Sequence, residues 1–259
     1  MEAPGFLTLL YIMNTLPAQV GLSELPWENK AMGALVVLLS TLKPNTQILM
    51  CPQVIHYLYR AILAPLIAPS MSPIHPLVWA LAFSFQLFNG LSIGGWLGGY
   101  GPTTRLEWSN YEANYKVGGR MTLGMMIWAL GFFGNVFHDD ELREIRRAAA
   151  RNQKKRAQEQ DESTGKGKEG AEKKGVDKVY MIPKNGLFWW ILYPHYLCEW
   201  IEWGGFFIMG GLGCVPARNF LVNEIATMLP RALDGKKWYE KRFGKEKLEG
   251  RKAIIPGIL

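Results

Sequence analysis

The run Pro76–Tyr100 (PLVWALAFSFQLFNGLSIGGWLGGY) contains no Asp, Glu, Lys or Arg. The hydrocarbon core of a bilayer takes about 20 mostly apolar residues as helix. Within it each backbone N–H and C=O must be satisfied inside the segment, which a helix does and an open strand does not. A run of this kind leaves the chain two solutions, a helix across a membrane or the core of a large soluble helical protein. Uncharged runs of this length are rare in soluble folds, so the membrane solution is expected.

Other segments repeat the pattern. Met121–Phe137 carries no charge, and Leu187–Val215 carries only Glu199 and Glu202 among its aromatics and glycines. Ile55–Pro69 is shorter and holds Arg60, Phe6–Leu22 is interrupted by Asn14 and Pro17, and Asn219–Leu233 is a weaker candidate. The expected fold is all-α, a polytopic bundle of six or seven transmembrane helices forming one membrane domain over residues 1–259. No signal peptide is expected, because Met1-Glu2 offers no basic region and no small-residue cleavage site follows the first apolar run.

Charge is segregated. Residues 151–178 hold nine Lys/Arg and six Asp/Glu, and residues 236–252 hold eight Lys/Arg against three Glu. The two basic segments are separated by two apolar passes and therefore fall on one side, the cytosolic side by the positive-inside tendency. The net charge of +7 is read as membrane-surface charge, and nucleic acid is not expected as a partner. The run 148–178 is low in complexity and is expected to be a disordered cytosolic insert. Its Gly165-x-Gly167-x-x-Gly170 has no preceding strand and reads as a chance match to a dinucleotide fingerprint. Cys51, Cys198 and Cys214 have no C-x-x-C spacing and indicate neither a zinc site nor a disulfide framework.

Polar residues inside apolar helices carry the functional information, because burying them is costly unless they are paired. Asn135, Asp139 and Arg143 recur every four residues and share one helical face. An amide, a carboxylate and a guanidinium in a row can read a nucleotide, although an Asp–Arg pair at a helix exit looks the same. The segment Val179–Phe188 reads as an extended stretch and turn leading into an aromatic helix. On that helix His195 and Glu199 share a face, with Glu202 one turn on. These three could hold a metal, but no second His-rich partner exists, and no metal is expected. Arg231 and Tyr239 lie about two turns apart near the C-terminal string Arg251-Lys252-Ala253-Ile254-Ile255-Pro256.

In this order, N-x-x-x-D with L-R-x-x-R, Y-x-I-P-x-x-G-L-F, E-x-x-E-W, R-x-x-x-x-x-x-x-Y and R-K-A-x-I-P, the chain from Gly131 to Leu259 resembles the steroid 5α-reductase family. In the N-terminal half, His56-Tyr57-Leu58-Tyr59-Arg60 is similar to the family's H-Y-x-x-R element, and Glu2-Ala3-Pro4 to its E-x-P element. Glu24-Leu25-Pro26 competes with the latter but sits in a polar turn. The resemblance implies a membrane reductase of the endoplasmic reticulum that uses NADPH to reduce the C4–C5 double bond of a 3-oxo-Δ4 steroid. It implies Tyr57 and Glu2 at the substrate carbonyl. It implies Asn135, Asp139, Arg143, Arg146, Tyr180, His195, Glu199, Arg231 and Tyr239 around NADPH. His195 stands where animal members have Asn, and either residue can donate a hydrogen bond.

Two departures accompany the resemblance. The family has a helix ahead of E-x-P and this sequence has none ahead of Glu2, so an incomplete N-terminus is expected. Residues 38–54, with Lys43-Pro44-Asn45 and Pro52, interrupt what would otherwise be one apolar helix and read as an insertion. Enoyl-CoA and polyprenal reductases of the same superfamily are alternatives. From other classes, a lipid transporter would bind no NADPH, and a distantly related methyltransferase would bind S-adenosylmethionine.

Overall fold

The computed structural model describes residues 3–33, 58–67, 74–115, 119–164 and 180–259. Glu2, Tyr57, segment 38–54 and residues 165–178 of the charged run lie outside the described residues. The architecture is helical: α1 (Ala3–Gln19), α2 (Trp27–Gly33), a π-helical turn (Leu58–Leu63) leading into the short α3 (Ala64–Ile67), α4 (Pro76–Gly95), α5 (Arg105–Tyr115), α6 (Arg120–Thr164), α7 (Pro194–Gly210) and α8 (Val215–Phe243). Among the described residues the only β-type pairing is an isolated parallel bridge between Ile191 and Lys252.

Two of these helices are long and apolar enough to cross a bilayer, Pro76–Tyr100 and residues Arg120–Gln153 of α6. Helices α1 and α7 have 17 residues each, just short of the usual span. The expected six or seven spans are therefore matched at two among the described residues.

Contacts divide the chain into two compact units, Met1–Phe133 with Cys198–Met228, and Gly134–Leu197 with Leu229–Leu259. In the first unit, α4 starts with Pro76 at its first turn, where the missing N–H costs nothing. The His75 ring accepts a hydrogen bond from the Leu77 N–H at 3.2 Å. Helix α1 packs along α4 because Gly90 and Gly94 leave room. A Cβ on Gly90 would come within 3.0 Å of Thr8 Cβ, and one on Gly94 within 3.2 Å of the Leu9 Cα. This G-x-x-x-G spacing allows backbones to approach closely in apolar surroundings, where dispersion rather than water release drives association.

Beyond α4 the helix relaxes into a π-helical turn, Trp96–Tyr100, closed by the Gly101 N–H donating to the Trp96 carbonyl. Fully buried Asn29 of α2 ties this turn down. Its Nδ2 donates to the carbonyls of Leu97 and Pro102, each at 2.8 Å, and its Oδ1 accepts from Trp108 Nε1 at 2.6 Å. Every polar atom of that side chain is used, which removes the penalty of burying an amide.

Within this unit α6 shows reversed patterning. Leu123, Met126, Leu130 and Phe133 form an exposed apolar stripe, while Met121, Trp128 and Phe132 are buried. An outward apolar stripe this long is costly in water and free in lipid. Further on, α6 runs to Thr164, so residues 148–164 are helical where composition predicts no structure. Ala148–Ala150 and the Arg, Gln and Lys residues after them are strong helix formers. Arg147 pairs with Glu144 at 3.7 Å and Asp140 at 3.6 Å, and Arg151 pairs with Glu144. Such a helix needs no buried face of its own, since it continues one that is already nucleated.

Candidate functional site

The motif residues gather mainly in the second unit. Asn135, Asp139 and Arg143 lie along one face of α6 as their spacing predicts. Asn135 is 2% and Arg143 9% exposed. Arg143 Nη2 is 3.6 Å from Asp139 Oδ2, and its Nη1 is 3.8 Å from Asp140 Oδ1. Asn135 Nδ2 donates to the His195 carbonyl at 2.9 Å, so the amide holds the first turn of α7 from across 60 residues of sequence.

His138, one position before Asp139, was not singled out by spacing and proves to be an anchor. Its Nε2 accepts from the Leu187 N–H at 3.0 Å, and its Nδ1 lies 2.6 Å from the Gly134 carbonyl. The first bond requires a bare Nε2, so the proton sits on Nδ1 and is donated to Gly134. Gly186 makes the approach possible. Its φ is +60°, and a Cβ there would fall 2.8 Å from His138 Nε2.

The C-terminal string straps this region from the other side. The Lys252 N–H donates to the Trp190 carbonyl, and the Leu192 and Tyr193 N–H groups donate to the carbonyls of Lys252 and Ala253, all at 2.9 Å. Arg251, 3% exposed, donates from Nη1 to the Pro183 carbonyl at 2.8 Å. The segment Pro183–Tyr193 is therefore fixed by backbone ladder bonds and by buried Arg251 and His138, though it contains little regular structure.

A second cluster of motif residues forms on the C-terminal part of α8. Tyr239 is held among Arg146 and Tyr180. Burial pushes its phenol above the ordinary tyrosine range, the Arg146 charge opposes this, and Tyr180 adds to it. Tyr180 packs edge-on to Trp238, with ring centroids 4.9 Å apart. Arg231 is exposed on α8 and makes no ion pair among the described residues.

Glu199 belongs to the first unit, where Arg60 Nη2 donates to both of its carboxylate oxygens at 3.2 Å. That bond joins the element H-Y-x-x-R to the element E-x-x-E-W, and its arginine was missed as a site residue. Its signal was available, since Arg60 is a charge inside an apolar run and needs a partner. Glu202 is completely buried in the same unit. Gly131 of α6 lies against it, where a Cβ would be 2.6 Å from Glu202 Cα. Asn89, 9% exposed within α4, is another buried amide that the motif reading passed over.

Residues 169–259 match the family model described as 3-oxo-5-alpha-steroid 4-dehydrogenase. An uncharacterized protein of Schizosaccharomyces pombe is 35% identical over 206 residues, covering 79% of this chain and 65% of that protein. Steroid 5-alpha-reductase DET2 of Arabidopsis thaliana is 28% identical, covering 84% of this chain and 71% of that protein. The 3-oxo-5-alpha-steroid 4-dehydrogenase 1 of Rattus norvegicus is 24% identical, covering 83% and 69%. The chain thus spans roughly two thirds of the length of these relatives, 65% for the first. The matched region contains the extended segment, both α7 acids and the C-terminal strap described above, and through it the chain is similar to the steroid 5α-reductase family.

Proposed function

We propose that this protein reduces a C=C bond conjugated to the carbonyl of a steroid, taking the hydride from NADPH. We place it in the endoplasmic reticulum membrane, with the charged run 148–178 and the C-terminus facing the cytosol. The observation that carries the reading is the convergence in one unit of motif residues far apart in sequence: Asn135, Asp139 and Arg143 on one face, and Arg146, Tyr180 and Tyr239 in one cluster. The activities named for the plant and rat relatives support the reaction class.

The residues present fit a phosphorylated dinucleotide. Asp139 can accept from ribose hydroxyls, and Arg143 lies beside it. Arg146 and Arg231 have no carboxylate partner among the described residues and suit phosphate oxygens. Tyr180 and Tyr239 offer aromatic faces. His195, with its carbonyl held by Asn135, carries a further polar contact. When bound, NADPH supplies the hydride.

The protein's own part in the chemistry is to hold the enone and stabilise charge on its oxygen. The resemblance assigns this task to Tyr57 and Glu2, and a donor aimed at developing oxyanion charge is worth on the order of 10²–10³ in rate in other enzymes.

The test is turnover by the membrane-bound protein with NADPH against 3-oxo-Δ4 steroids, enoyl-CoAs and polyprenals. Steroid reduction is expected. Asp139→Ala should raise the KM for NADPH far more than that for the steroid. Absence of NADPH binding would overturn the reading in favour of a transporter or methyltransferase, and turnover of an enoyl-CoA alone would move the substrate assignment.

A further inference from the structure

Arg242 stands outside all the motifs and occupies an unusual position. Its guanidinium carbon lies 5.0 Å from the ring centre of Tyr180, 5.4 Å from that of Trp238 and 5.9 Å from that of Phe243. No carboxylate pairs with it among the described residues, although Glu240 is two residues away and pairs with Lys236 at 4.0 Å. Aromatic rings hold a cation in place without neutralising it. The guanidinium is exposed and its hydrogen-bonding edge has no partner among the described residues, beside a tyrosine that the functional reading already assigns to the cofactor.

We propose that Arg242, held over Tyr180 and Trp238, binds the 2′-phosphate of the dinucleotide and so sets the preference for NADPH over NADH. The inference rests on the NADPH reading above and deepens it. A free 2′-hydroxyl is usually recognised by a carboxylate acceptor, whereas a 2′-phosphate needs a nearby arginine. A planar guanidinium suits both tasks here: it stacks on rings through its faces and meets two phosphate oxygens through its edge. Lysine could supply the charge without the stacking.

The experiment is equilibrium binding to the full chain in detergent, followed by tryptophan fluorescence. The probes are NADPH, NADH, 2′,5′-ADP and 5′-AMP. The wild-type protein should bind NADPH over NADH and 2′,5′-ADP over 5′-AMP. Arg242→Ala should weaken NADPH and 2′,5′-ADP by about 10–100-fold, the range for a charged hydrogen bond, and leave NADH and 5′-AMP unchanged. Arg242→Lys should recover part of the loss. Equal weakening of both members of each pair, or no weakening, overturns the inference while NADPH binding by the wild type leaves the functional reading intact. Failure of the wild-type protein to bind either dinucleotide overturns both. The NADH and 5′-AMP measurements also report whether each variant is folded.

Discussion

Asn135 of α6 donates from its side-chain amide to the main-chain carbonyl of His195 at 2.9 Å. The bond uses a buried donor to hold the start of α7, and it makes Asn135 a positioning residue for whatever His195 contacts. Asn135→Ala removes this side-chain hydrogen bond, which costs about 0.5–1.5 kcal/mol. The expected result is a lower thermal midpoint in detergent together with weaker NADPH binding. Asn135→Asp should be worse than Ala, since a carboxylate would face the carbonyl. An unchanged midpoint in both variants would rule out the role.

Arg60 and Glu199 form a largely buried pair, with side chains 23% and 6% exposed. Removing one partner strands a charge and costs about 3–5 kcal/mol, whereas replacing both with apolar groups is often neutral. Arg60→Met and Glu199→Leu should each destabilise the protein strongly, and the double variant should be more stable than either. Additive losses in the double-mutant cycle would show that the two side chains act separately.

Gly235 faces the Tyr193 ring so closely that a Cβ would lie 2.8 Å from Tyr193 Cε2 and closer still to the hydroxyl. Gly235→Ala overpacks the contact and should cost about 1–3 kcal/mol. Tyr193→Phe removes the clashing oxygen and should restore part of the loss, which thermal unfolding of the single and double variants would read.

Tyr239 gives a pH dependence. Burial raises its folded-state pKa, and the unfolded value is about 10. Below pH 10 both states hold the proton and stability is unaffected. Above it the unfolded chain releases the proton first, so stability falls as pH rises from about 10 through the raised folded value. Tyr239→Phe should flatten that alkaline decline. A decline of equal slope in the variant would assign it to other groups.

The helical class, the long apolar runs and the shared face of Asn135, Asp139 and Arg143 follow from the sequence alone. Each is a local consequence of residue spacing at 3.6 per turn and of the cost of charge in an apolar run. The order of motifs that marks the family is equally a property of the linear chain. Other features needed the tertiary structure. Arg60 finds Glu199 across 139 residues, His138 anchors the turn at Leu187, Arg251 straps Pro183, and Arg242 lies over Tyr180. None of these pairings has a sequence period, because each is decided by which helices pack together and where glycine lets them meet. Residues 148–164 show the opposite dependence. Composition reads them as structureless, yet they are helical because α6 already carries the cost of nucleation, and propagation from a formed end needs only good helix formers.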